Sequence, residues 1–256
     1  MNKLSNEDLL RQILEDQKLD SNQIENLKNQ RDAIVGELVE EIGGNPIIYD
    51  GGSYAKGTMI RASYDLDIIL YWPTNFQYSP QNLYVEVGSI LQSKGRNPRS
   101  KKVGWEIPFP GNFHIDVIPS KIILNKKNYA YLFNTDTESR FQTSVKKQIN
   151  NVRHSRRQDV IKLMKLWRIR KLVPIKTFLL ENMVIEGCKG ITRSILEPQL
   201  INAFEYISKE ILIKKIHDPS NINNIISNDL SIEQKHRIKN LADNALDAQY
   251  WQEVFS

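Results

Sequence analysis

The chain has 256 residues, enough for one large domain or two small ones, and 40% of them are hydrophobic, material for a packed core. A single cysteine, Cys188, excludes a disulfide framework or a multi-cysteine zinc site, and His114, His154, His217 and His236 lack zinc-ligand spacing. No apolar run approaches the ~18 residues of a spanning helix, and the N-terminus has no apolar signal segment, so the expectation is a soluble cytoplasmic protein with no membrane partner.

The net charge is +5, unevenly spread. Residues 146–176 hold eleven Lys or Arg and one acid, a local +10 that leaves −5 for the rest. Such a block fits either an anionic partner, nucleic acid or phosphate, or a solvated helix face.

In chain order, Ser5 with Asp8 caps a first helix, and a second from Ser21 places Ile24, Leu27, Ile34, Leu38 and Ile42 on one stripe. Gly43-Gly44-Asn45-Pro46 stops it. Ile47–Tyr49 reads as a strand, Asp50–Ser53 as a turn, Tyr54–Ile60 as a short helix and Asp65–Trp72 as a strand ended by Pro73. A helix is expected over Pro80–Lys94. Strands follow over Lys102–Ile107 and Asn112–Ile118, joined by Pro108–Gly111, with a further strand at Lys121–Leu124. Beyond Tyr131 only helices are expected, near 138–150, 155–172, 176–186, 194–214 and 231–254. Strands first and helices after predict an α+β fold, with a catalytic lobe over residues 1–135, a helical lobe over 136–256 and a cleft between them.

The chemistry concentrates in Gly52-Ser53-Tyr54-Ala55-Lys56-Gly57-Thr58 and Asp65-Leu66-Asp67. Asp65 and Asp67, two apart on an apolar strand, share a face and repel unless a cation lies between them. A divalent ion such as Mg²⁺ is the economical partner, and two such ions serve in-line phosphoryl transfer. Phe113, Ile115 and Val117 alternate inward, leaving Asp116 on the opposite face as a third carboxylate. Gly52 permits close backbone approach to a phosphate, and Ser53 supplies a hydroxyl and an N–H. Thr58 stands where a P-loop requires Lys, which excludes that motif.

Gly52-Ser53, Gly57-Thr58, Asp65-x-Asp67 and Asp116 together resemble the active-site signature of the polymerase-β-like nucleotidyltransferases. Ile161–Trp167, Lys176–Glu181, Asp218–Asn224 and Ala242…Phe255 are similar to segments of one branch, that of oligoadenylate synthetases, cyclic GMP–AMP synthase and bacterial CD-NTases. The resemblance runs from about Gly51 to Phe255. It implies a mixed sheet flanked by helices, then a helical lobe. It implies that Asp65, Asp67 and Asp116 bind two Mg²⁺ ions (Mn²⁺ as the alternative), with Asp116 acting as or positioning the base. Gly52 and Ser53 would hold the donor phosphates, and Lys162 and Lys165, three apart on one helix face, would reach the triphosphate. Three features depart from the branch: Thr177 stands where Ser is usual, the animal enzymes' zinc-ligand cluster is missing, and the chain is short.

The expected function is synthesis of a cyclic or linear oligonucleotide messenger from NTPs, in bacterial anti-phage signalling, with an RNA or protein activator among the partners this allows. Two alternatives stay open: transfer to an RNA 3′ end, protein or small molecule, and a silent nucleotide-binding scaffold. The bases, the linkage, the need for an activator and the oligomeric state are not specified by the sequence. Arg96, Arg99, Lys101, Lys102, Arg153, Arg156 and Arg157 read as solvated surface, Trp105, Trp167 and Trp251 as core, and Cys188 has no role.

Overall fold

The computed structural model describes residues 5–110, 113–126 and 128–256. Helix α1 (Asn6–Asp16) starts at Ser5, whose hydroxyl accepts the Asp8 N–H. Helix α2 (Ser21–Ile42) opens one residue before Ser21 on a full capping box between Asp20 and Gln23 and ends at Gly43, φ +70°. Strand β1 (Ile47–Asp50), helix α3 (Gly52–Lys56), strand β2 (Asp65–Trp72) and helix α4 (Pro80–Ser93) follow, α4 capped by Ser79 with proline in its first turn. Five strands come next: β3 (Arg99–Lys101), β4 (Gly104–Pro108), β5 (His114–Ile122), β6 (Ala130–Asn134) and β7 (Ser139–Thr143). The remainder comprises α5 (Val145–Ser155), α6 (Gln158–Arg170), α7 (Thr177–Gly187), α8 (Leu196–Glu210), the strands β8 (His217–Asp218) and β9 (Asn221–Ile225), α9 (Ile232–Asp247) and α10 (Trp251–Phe255).

Several expectations are corrected. Helix α3 begins at Gly52, so the glycine–serine turn is itself helical. Strand β5 runs unbroken through Pro119, where two strands were expected. On that edge β4 pairs with residues 114–117 and β6 with residues 120–122, so the missing proline N–H falls between the two ladders. Strands β6 and β7 occupy a stretch expected to be helical, and the helix expected from 138 starts at Val145. The segment His217–Ser220 belongs to a hairpin, and the last helix is two, parted near Ala248. Gly111 and Asn112, expected in the turn and at the strand start, lie outside the described residues.

The chain forms two compact units, Leu19–Lys56 with Tyr64–Ile149, and Met1–Lys18 with Gly57–Ser63 and Asn150–Ser256. The first holds a seven-stranded mixed sheet in the order β1-β2-β5-β4-β3, with β6 on β5 and β7 on β6. Strands β2 and β5 pair in parallel, Asp65 opposite His114 and Asp67 opposite Asp116, and the other pairs are antiparallel. Helix α4 packs on β5 and β6, and α2 on β2 and α4. Beyond Asp67 every residue of β2 is buried, which accounts for the apolar run Ile68–Trp72. Trp105 is half-buried against Tyr84, ring centroids 4.9 Å apart, and a side chain at Gly88 would strike its ring.

The second unit packs α1 and α6–α10 around one apolar core that includes Trp167, Phe204 and Trp251. Arg157, read from sequence as surface, is buried here. Its guanidinium donates to the carbonyls of Cys188 (2.7 Å), Ile191 (2.6 Å) and Thr192 (3.2 Å) and to Gln199 Oε1 (2.7 Å), tying the loop after α7 to the start of α6. Removing it strands four acceptors, so Arg157→Met should lower unfolding free energy by about 3 kcal/mol. Urea denaturation followed by circular dichroism checks this. Lysine should not rescue, because one ammonium cannot span the fork. Cys188, in the same core, is fully buried, and burial pushes its thiol up to about 11, which fits an unreactive core cysteine. Among the described residues no helix is long and apolar enough to cross a membrane.

Candidate active site

Strand register assembles the acidic residues. Asp67, Asp116 and Glu106 face one another across β2, β5 and β4, and Asp65 and His114 form the neighbouring pair. Because residues two apart share a face, all five side chains stand on one face at one end of the sheet. Phe113, Ile115 and Val117 point the other way and are buried, as the alternation predicts. The imidazole Nε2 of His114 lies 3.8 Å from Asp65 Oδ2 and 3.9 Å from Asp116 Oδ1.

The glycine pair closes the other side. The Gly51 N–H donates to the Asp67 carbonyl at 2.8 Å. Gly52 sits at φ +53°, and a Cβ there would lie 1.6 Å from Asp67 Oδ2. No other residue type allows this approach while the carboxylate keeps its place. Ser53 is buried, and its hydroxyl donates to Asp65 Oδ1 at 3.4 Å. The turn and the carboxylates are therefore one packed unit.

The electrostatics follow from that packing. Burial, then the charges of Asp65 and Asp116, push the Asp67 carboxyl up to about 7, against the opposing pull of Lys56 and Lys101. Burial also raises Asp116, opposed chiefly by Lys101. The Lys101 ammonium donates to Asp116 Oδ2 at 2.7 Å and lies 3.3 Å from Glu106 Oε2. The other oxygen, Asp116 Oδ1, is buried and has no hydrogen-bond partner among the described residues.

An orphaned, buried carboxylate oxygen beside two crowded carboxylates is what a hard divalent cation satisfies, so these residues fit Mg²⁺ or Mn²⁺. Among the described residues the donors whose ligand atoms lie within 4.8 Å of one another are Glu106, His114 and Asp116. Asp65 and Asp67, expected from the sequence to complete the set with Asp116, stand on the same face of the sheet but are not drawn together that closely.

The remaining predicted site residues, Lys162 and Lys165, lie on α6 in the other compact unit. Lys165 is buried, and its ammonium donates to the Thr58 carbonyl at 3.0 Å. Lys162 pairs with Asp159 at 3.1 Å. Lys101, Glu106 and His114 were not anticipated. Alternation within Gly104–Pro108 does turn Glu106 away from Ile107, but its place opposite Asp116 is a matter of register, which local pattern does not carry.

This architecture is that of the CD-NTases, within the polymerase-β-like nucleotidyltransferase fold. The CdnC of E. coli MS115-1, solved with ATP, superposes with TM-score 0.77 at 19% identity over 98% of both chains. The Bradyrhizobium diazoefficiens CD-NTase CdnG, in complex with GTP, gives 0.77 at 12% identity over 96% of this chain and 94% of that one. The Elizabethkingia meningoseptica CdnE cyclic dinucleotide synthase, with GTP and Apcpp, gives 0.71 at 16% over 96% and 98%. This chain and these three structures therefore match over nearly their whole lengths, whereas the Vibrio cholerae DncV structure is matched over 66% of its own chain. No protein-family model and no curated protein matches the sequence.

Proposed function

We propose that the chain is a metal-dependent nucleotidyltransferase that joins NTPs into a cyclic or linear oligonucleotide messenger. The observation that carries this is the parallel register that sets Asp116 beside Asp67, with Gly52 packed on the same carboxylate. Similarity to CdnC, CdnG and CdnE, solved with ATP, GTP or analogues, supports the choice of substrate.

In this reading Asp65, Asp67 and Asp116 hold the divalent ions. When bound, the ions supply Lewis-acid stabilisation of the charge that builds on the phosphoryl oxygens. Asp116 orients a ribose hydroxyl of the acceptor nucleotide and takes its proton as that oxygen attacks the α-phosphorus. Pyrophosphate leaves. Gly52 and Ser53 bind the donor phosphates through backbone and hydroxyl, and Lys162 and Lys165 serve the triphosphate. Most of the rate gain then comes from positioning and charge neutralisation. The reading places the protein in the cytoplasm, where its substrates are, and its product in anti-phage signalling.

The test is incubation with all four NTPs and Mg²⁺ or Mn²⁺, followed by mass spectrometry. Low-mass oligonucleotides and pyrophosphate are expected, and NTPs left intact under every condition would refute the assignment.

A further inference from the structure

We propose that Lys101, partly neutralised by Glu106, is a built-in counter-cation that weakens the hold of the carboxylate site on divalent ions. The idea rests on the nucleotidyltransferase reading and adds to it the residue that tunes the metal.

The geometry is specific. Strand β3 is not a neighbour of β5, because β4 lies between them. Lys101 pairs with Gly104, which has no side chain on the face the lysine crosses. Its ammonium thus reaches over β4 to Asp116 Oδ2 and leans on Glu106 on the way. Arg99, two residues earlier and on the same face, is opposite Glu106 and lies 3.3 Å from it. Glu106 is therefore flanked by two cations and offsets part of the positive charge that Lys101 presents to Asp116.

The consequence is electrostatic. Asp116 offers Oδ1 inward while Oδ2 is occupied by the protein's own positive charge. A divalent ion entering between Asp67 and Asp116 meets three carboxylates, one of them already neutralised, and feels repulsion from an ammonium one carboxylate away. Deleting the lysine charge should strengthen metal binding, whereas deleting the Glu106 charge should weaken it. A purely structural role for this pair would weaken binding in both variants, since Asp116 would lose its support either way.

Mn²⁺ alone is the probe, titrated into the full-length protein and read as free ion by electron paramagnetic resonance. Lys101→Met is expected to lower the Mn²⁺ Kd roughly tenfold, Glu106→Gln to raise it several-fold, and Lys101→Arg to match wild type. In product formation, Lys101→Met should lower the half-saturating Mg²⁺ concentration by a similar factor. Thermal melts establish that each variant is folded. Weaker or unchanged Mn²⁺ binding in Lys101→Met, with binding abolished in Asp67→Asn, would overturn the role of Lys101 and leave the carboxylate site standing. Mn²⁺ binding indifferent to Asp67→Asn and to Asp116→Asn would remove the site itself and this proposal with it.

Discussion

Asp67→Asn should yield no detectable oligonucleotide product, a loss of roughly 10³-fold or more, and should at the same time melt higher than wild type in metal-free buffer at pH 8. Both effects have one origin. Asp67 stands between Gly52, Asp65 and Asp116, half-buried and short of counter-charge, and its carboxyl is pushed up to about 7. A carboxyl whose folded-state value is raised binds its proton more tightly in the fold than in the unfolded chain. Ionisation therefore costs stability, from nothing below about pH 4 to the full amount above pH 7. Asparagine is nearly isosteric and cannot ionise, so it removes that cost and keeps the contact with the glycine turn. The expected gain is roughly 5 °C in Tm at pH 8, shrinking towards zero at pH 4. Differential scanning fluorimetry at the two pH values and mass spectrometry of reaction mixtures measure the two halves. A variant that is inactive but also less stable at pH 8 would mean that Asp67 is a structural residue. An active variant would mean that the site lies elsewhere.

The sequence carried some levels of this organisation and not others. The strand Asp65–Trp72 was legible to the residue, because β-prone apolar residues run unbroken to a proline and the two acids mark its polar end. The outward turn of Asp116 followed from strict alternation through Phe113, Ile115 and Val117. Glycine at 52 signalled a close approach of the backbone to a phosphate, but not that its missing Cβ makes room for Asp67. Strands β6 and β7 were not legible, because Ser139–Thr143 is an exposed edge with weak alternation, flanked by residues equally compatible with helix. The basic residues separated least well. Lys101, Arg96 and Arg157 look alike in a composition profile, yet one lies on Asp116, one is paired with Glu37, and one is buried among carbonyls. Which cation meets which anion depends on contacts between residues distant in sequence, and local pattern is silent about them.

Gly52→Ala is expected to cut product formation roughly 100-fold, a misplacement effect, with a stability loss of about 1–2 kcal/mol. Two penalties act at this position and can be separated. The first is the left-handed backbone, φ +53°, which alanine tolerates poorly. The second is the Cβ itself, which would lie 1.6 Å from Asp67 Oδ2. The backbone penalty alone should leave catalysis intact. The steric one cannot, because the Asp67 carboxylate must swing off the row it forms with Asp116, or the turn carrying Ser53 must open. Gly95→Ala is the control. It has a comparable φ of +73° with nothing within 4 Å of its Cβ, so it carries strain without a collision. It should lose a similar amount of stability and keep wild-type turnover. Mn²⁺ binding should weaken in Gly52→Ala and not in Gly95→Ala, since only the first displaces a carboxylate. If the two variants turned over NTPs equally well, the close packing of the turn on Asp67 would have no part in catalysis, and the phosphate-binding role of Gly52 and Ser53 would have to be abandoned.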